Sequence, residues 1–134
     1  MSITRPDGRT PSQLRPITMG QGVLSRADGS GQARAGETEV LAAVYGPTEV
    51  KIRDEKLDRA TLEVKWKPII GPPGIVETSY ERFLRESLDS AVITSLHPRT
   101  LISITIQVIN DDGSILSCAF NAALLALLDA GIPL

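Results

Sequence analysis

With 134 residues the chain has room for one domain and too few for two comfortable cores. Fourteen basic against sixteen acidic side chains leave a net charge of −2, so any nucleic-acid contact must come from a local patch. One cysteine, Cys118, excludes a disulfide framework, one histidine, His97, argues against a Cys/His zinc centre, and no segment reaches the ~18 unbroken apolar residues of a membrane span.

Residues 1–21, punctuated by Gly8, Pro11, Pro16 and Gly20, read as an extended arm crossing the surface of a domain that occupies 22–134. The opening MSITRPDGRT has no apolar h-region of a secretory signal, and the cysteine usage fits a reducing compartment. From Gly22 to Gly46 strand-like stretches are broken at Asp28-Gly29 and Ala35-Gly36, both turn signals. Thr38–Tyr45 is small and apolar on both faces, as in a buried strand, and residues 47–59 read as a charged connection. Thr61–Lys67 alternates: Leu62, Val64 and Trp66 face one way, Glu63, Lys65 and Lys67 the other, so one sheet face is buried and one is wet. Pro68–Val76 is a Pro/Gly-rich loop that presents Ile69, Ile70, Ile75 and Val76.

Thr78-Ser79-Tyr80-Glu81 has the capping-box pattern that opens a helix, with Leu84, Leu88, Ala91 and Val92 on its apolar face and Pro98 ending it near Leu96. Ile102, Ile104, Ile106 and Val108 alternate with polar residues in the clearest strand of the chain. Asp111-Asp112-Gly113 turns the chain into an Ala/Leu-rich buried helix, Ser117–Ala130, stopped by Gly131 and Pro133. Strands, helix, strand, helix make an α+β domain, and Leu134 ends where another strand is expected, as if the C-terminal part were missing.

Four ordered motifs carry a family resemblance: GRTPSQLRP (8–16), LSRADGSGQARAGETEVLAAVYGP (24–47), SLHPRTLISITIQVINDDGS (95–114) and ALLDAGIPL (126–134). In this order they resemble the RNase PH family, most of all its ring subunits in the eukaryotic RNA exosome, from about residue 5 to the end. The resemblance implies an RNase PH-like fold, also described as ribosomal protein S5 domain 2-like, with a mixed sheet packed against helices. It implies as partners other RNase PH-like ring subunits, RNA-binding cap subunits and RNA held weakly within the complex, and it leaves a homodimer open. No cofactor and no membrane partner are implied. Nucleus, nucleolus and cytoplasm are the expected locations, with rRNA maturation and mRNA decay as the processes served.

Active relatives cleave RNA from its 3′ end with inorganic phosphate as nucleophile. That chemistry needs positive charge and backbone donors for the phosphate, arginines for the RNA backbone, and carboxylates near the leaving oxygen. At the phosphate position the resemblance aligns Ser114, Ile115, Leu116 and Ser117, so Leu116 stands where active members carry an arginine and Ile115 where they carry a hydroxyl. Losing that charged hydrogen bond removes about 1.5–3 kcal/mol of anion binding. Ile115 and Leu116 read foremost as packing residues at a helix start.

The loop that carries arginines in active members is Gly71-Pro72-Pro73-Gly74-Ile75-Val76 here, without a basic residue. Its apolar residues, with Ile69 and Ile70, suit contact with a neighbouring subunit. A hydrophobic staple by Ile75 and Val76 into the helix is the other reading. The family's catalytic aspartates fall beyond Leu134, and Asp111 and Asp112 have the sequence of a turn. Lys65, Lys67, Arg82, Arg85 and Arg99 are candidate RNA contacts, or simply a solvated charged face.

The expectation is therefore a non-catalytic structural subunit of the exosome ring. A homo-oligomeric nuclease, phosphorolytic or metal-dependent, is the enzyme alternative. Cys118, in an apolar run, and His97, before a proline, are weak candidates for a nucleophile–base pair.

Overall fold

A computed structural model describes residues 12, 16–22, 24, 27–49, 60–72, 74–93, 100–111 and 113–132. The elements are β1 (Ile17–Gln21), β2 (Gly29–Ala35), β3 (Thr38–Glu49), β4 (Thr61–Lys67), α1 (Ile75–Ala91), β5 (Thr100–Asn110) and α2 (Ile115–Asp129). The five strands form one sheet in the order β1-β2-β3-β5-β4. All neighbours are antiparallel except β4 and β5, whose parallel pairing is made possible by the crossover through α1.

Period-two alternation decides the layering. Val40, Ala42 and Val44 of β3 stand in register with Val108, Ile106 and Ile104 of β5, and Ile102, Ile104 and Ile106 with Leu62, Val64 and Trp66 of β4. These side chains are buried under α1 and α2, which contribute Leu84, Leu88, Ala119, Ala122, Ala123, Ala126 and Leu127. Each large aliphatic buried there contributes roughly 1.5–3 kcal/mol. The opposite sheet face, with Gln32, Arg34, Tyr45, Thr105, Glu63, Lys65 and Lys67, carries no helix among the described residues.

Small residues bring α2 unusually close to the sheet. Gly29 and Gly31 of β2 face it, and a methyl group on either would run into the helix backbone at Ala122, Ala126 and Ala130. Gly29 therefore belongs to a strand and a close packing contact, and the turn expected at Asp28-Gly29 is not there. Asp28 instead accepts a 2.7 Å hydrogen bond from the Gly46 amide. The turn expected at Ala35-Gly36 is present, with Gly36 at φ 63° joining β2 to β3.

Several expected boundaries move. The arm assigned to 1–21 contains an edge strand at its C-terminal end, because Ile17–Gln21 pairs with β2; residues 1–11 and 13–15 lie outside the described set. β3 runs on to Glu49, into the segment read as a connection, and 50–59 are not described. Helix α1 begins at Ile75, not near Thr78, since Gly74 is its N-cap and Glu77 reaches back to the Gly74 amide at 2.9 Å. Thr78 instead closes on the Gly74 carbonyl at 3.0 Å. The staple reading fails for the same reason, because Ile75 and Val76 are themselves the exposed first helical residues. The helix closes at Val92 rather than near Leu96, and His97 and Pro98 fall among the residues that are not described. Helix α2 starts two residues before Ser117 and ends at Asp129, with Gly131 at φ 77° beyond it.

Candidate functional site

The expected phosphate position is the N-terminus of α2. Asn110 ends β5 and donates to the Glu37 carbonyl at 2.7 Å, while buried Thr38 donates its hydroxyl to the Gly113 carbonyl at 2.8 Å. The β2–β3 turn thus clamps the loop that opens the helix. Gly113 at φ 91° and Ser114 at φ 57° both take left-handed backbone, and Ser114 is the N-cap without a side-chain capping bond. The first intrahelical bond runs from the Cys118 amide to the Ser114 carbonyl at 3.3 Å, so the amides of Ile115, Leu116 and Ser117 precede the helical ladder.

The first turn of α2, Ile-Leu-Ser, supplies no charged side chain, so its own contribution to anion binding is those amides and the helix dipole. Asp111 lies just upstream and accepts the Gly113 amide at 3.1 Å, as expected for a turn aspartate, and its negative charge opposes an anion. Ile115 is buried in the core. Leu116 is half-buried and, with Phe83, Ser87, Ser117, Phe120 and Asn121, lines an open groove of about 390 Å³ between α1 and α2. Sequence reading assigned no role to Phe83, Phe120 or Asn121; the four-residue spacings Phe83/Ser87, Leu116/Phe120 and Ser117/Asn121 are the signal that each pair shares a helix face.

The four described candidate RNA-contact cations do not form one surface. Lys65 and Lys67 lie on the helix-free sheet face, where Lys65 pairs with Glu63 at 3.6 Å. Arg82 and Arg85 are exposed on α1, on the other side of the sheet, and Arg82 binds Glu86 at 3.1 Å. Arg99 lies outside the described residues. The candidate interface residues do gather around one corner: Ile69 and Ile70 in the β4–α1 loop and Ile75 and Val76 in the first turn of α1 are all exposed, Ile70 at 87% and Ile75 at 88%. Among the described residues no cluster of His, Cys, Asp or Glu could hold a metal ion, and no helix is long and apolar enough to cross a membrane. Cys118 is buried in the core, away from solvent.

A mixed five-stranded sheet with both helices on one face, the second opening directly after β5, is the fold of an RNase PH-like domain. The chain belongs to the 3′ exoribonuclease family: the family's domain 1, RNase PH, matches residues 13–133. It is 48% identical over its whole length to the exosome complex exonuclease RRP46 homolog of Arabidopsis thaliana and 46% identical to that of Oryza sativa, covering 56% of each. It is 37% identical to exosome complex component Rrp41 of Pyrobaculum aerophilum, with 96% of this chain aligned. The chain thus spans about half the length of the curated relatives it matches. In three dimensions it matches the crystal structure of rice Rrp46 with a TM-score of 0.90 at 46% identity, over 96% of this chain and 62% of that one. An archaeal exosome core chain shares the fold with a TM-score of 0.78 at 24% identity, over 93% of this chain and 52% of that one.

Proposed function

We propose that this chain is a non-catalytic structural subunit of the RNA exosome core ring. In that role it supports 3′-to-5′ processing and degradation of RNA without itself breaking the phosphodiester bond. The observation that carries the reading is the α2 N-terminus, where Leu116 lines an apolar groove in the place at which an active relative holds a charged anion ligand. Backbone amides alone, opposed by the carboxylate of Asp111, bind a phosphate weakly, and the first turn of α2 offers no cation to grip an RNA backbone. The exposed apolar corner Ile69, Ile70, Ile75 and Val76 favours burial against a neighbouring ring subunit.

The partners in this reading are other RNase PH-like ring subunits, RNA-binding cap subunits and RNA held weakly along the assembly. The expected locations are nucleus, nucleolus and cytoplasm. The reading leaves a homodimer open for the chain when no ring partner is present. The test is twofold. The tagged chain, gently purified from its own cells, should sediment in one large complex with several RNase PH-like subunits, and the chain alone should leave single-stranded RNA intact with or without inorganic phosphate. Degradation that rises with added phosphate and follows the chain through purification would overturn the non-catalytic reading. Recovery only as a small homo-oligomer would overturn the ring reading.

A further inference from the structure

The groove between α1 and α2 combines two chemistries. Phe83, Leu116 and Phe120 give it apolar walls, while Ser87, Ser117 and Asn121 bring hydroxyl and amide groups into the same space, and none of these side chains is charged. Among the described residues the side chains of Ser87, Ser117 and Asn121 have no hydrogen-bond partner. Other serines of α1 do close on the helix: Ser79 donates to the Ile75 carbonyl and Ser90 to the Glu86 carbonyl, each at 3.2 Å. The rings are equally uncommitted. Trp66 and Tyr80 pack on each other with centroids 5.0 Å apart, whereas Phe83 and Phe120 line the groove without a ring contact, and Phe83 is 51% exposed.

The lining selects its occupant. A phosphate or a carboxylate finds no cation among these residues. An aliphatic side chain or an acyl chain would cover the rings but strip water from Asn121 and two serines without replacing it. A flat heteroaromatic ring satisfies both halves: its faces lie on the phenylalanine rings, and its edge pairs with the carbonyl oxygen and NH2 group of Asn121. The groove volume of about 390 Å³ falls within the roughly 300–1,000 Å³ of small-molecule sites.

We infer that the α1–α2 groove holds a nucleobase of single-stranded RNA, stacked on Phe83 and Phe120 and read at its edge by Asn121, with adenine the best fit. The amide's acceptor and donor match the amino group and ring nitrogen on the N6/N7 edge of adenine, where guanine offers two acceptors. A purine also covers more of a phenylalanine ring than a pyrimidine does. The inference rests on the reading of the chain as a ring subunit that meets RNA. A contact made through the base needs no cation, so it changes little with salt.

The experiment has two parts. The purified chain is titrated with adenosine, guanosine and uridine, which carry no charge, and the groove side chains are followed by NMR in wild type, Phe83→Ala, Phe83→Tyr and Asn121→Leu. Phe83→Ala trims an exposed ring to a strong helix former, and Phe83→Tyr keeps the stacking surface, which guards against reading a folding defect as lost binding. Adenosine is expected to shift the Phe83, Phe120 and Asn121 resonances and to bind at least about fivefold tighter than the other two nucleosides. Its affinity should fall at least about fivefold in Phe83→Ala and Asn121→Leu, hold in Phe83→Tyr, and change little between low and high salt. In the second part, the complexes that wild type and Phe83→Ala form in their own cells are compared for retention of oligoadenylate. An equal share of chain in the complex with lowered retention by Phe83→Ala supports the inference. Nucleosides that leave the groove resonances unmoved overturn it. So does a Phe83→Ala chain that drops out of the complex, because the groove is then a protein contact. An intact complex with unchanged retention also overturns it and leaves the ring reading standing. A chain that binds adenosine at the groove and joins no complex keeps the nucleobase site and overturns the ring reading.

Discussion

Replacing Gly31 by alanine tests one of the two close strand–helix approaches described above. An added Cβ would lie 2.8 Å from the Ala126 nitrogen and 2.9 Å from the Leu125 Cβ, with the Ala122 carbonyl oxygen nearer still. Ordinary contact between such atoms needs roughly 3.5 Å, so α2 must move off the sheet by something close to 1 Å. Two of the three obstacles are helix backbone and cannot rotate away, which places the cost at the upper end of the overpacking range, about 3 kcal/mol. Against it, removing a glycine from a strand returns about 0.5–1 kcal/mol of chain entropy. The net expectation is a loss of about 2–2.5 kcal/mol, a large share of the 5–15 kcal/mol that holds a typical domain together. Urea unfolding reads this as a lower midpoint at unchanged slope, and a thermal melt as a fall of roughly 10 °C. Adding Leu125→Ala to Gly31→Ala should recover little, because the obstructing Leu125 Cβ and both backbone atoms remain. A single variant within about 0.5 kcal/mol of wild type, or full rescue by the second change, would refute the reasoning.

Glu81→Ala should cost about 1–2 kcal/mol, since it leaves the Trp66 amide without its carboxylate partner at the β4 edge, and urea unfolding would show it. Ser114→Gly should stabilise by about 0.5–1 kcal/mol, because the serine holds a left-handed backbone and contributes no capping bond; an unchanged or lower midpoint contradicts this. If the helix-free sheet face borders an RNA path, Lys65→Glu with Lys67→Glu weakens RNA capture by the assembled complex and flattens its dependence on salt, measured as retention on immobilised single-stranded RNA. Unchanged retention across salt concentrations removes those lysines from the path.

Much of the fold was legible because both periodicities are clean. Leu62, Val64 and Trp66, and Ile102 to Val108, alternate without a break, and β4 coincides with the stretch read as Thr61–Lys67. The helix starts were harder to read. Two capping patterns compete at the head of α1, one at Thr78 with Glu81 and one at Gly74 with Glu77. The first fails because Glu81 is drawn to a different donor, the Trp66 amide of a strand distant in sequence from it. Tertiary contact decides between two locally adequate caps, and no window of sequence contains that contact. Gly29 shows the same limit in another form. Beside Asp28 it has the chemistry of a turn, yet its lack of a side chain serves a helix about a hundred residues further along.

The candidate site divides along the same line. That Leu116 carries no charge is plain from the sequence, whereas the use made of it is not. Phe120 neighbours it one turn along α2, but Phe83 of α1 approaches only because both helices lie on one face of the sheet, and together they make an apolar groove at the N-terminal end of α2. An arginine restored at position 116 would therefore gain the formal charge and still face two aromatic rings, a half-buried setting that opposes desolvation of the guanidinium and an incoming phosphate alike. In the non-catalytic reading proposed above, packing residues on two helices oppose an anion at this end of α2, and Leu116→Arg alone should give no phosphate-dependent cleavage. Recovery of such cleavage by that one substitution would mean that the groove is incidental and the missing charge the whole defect.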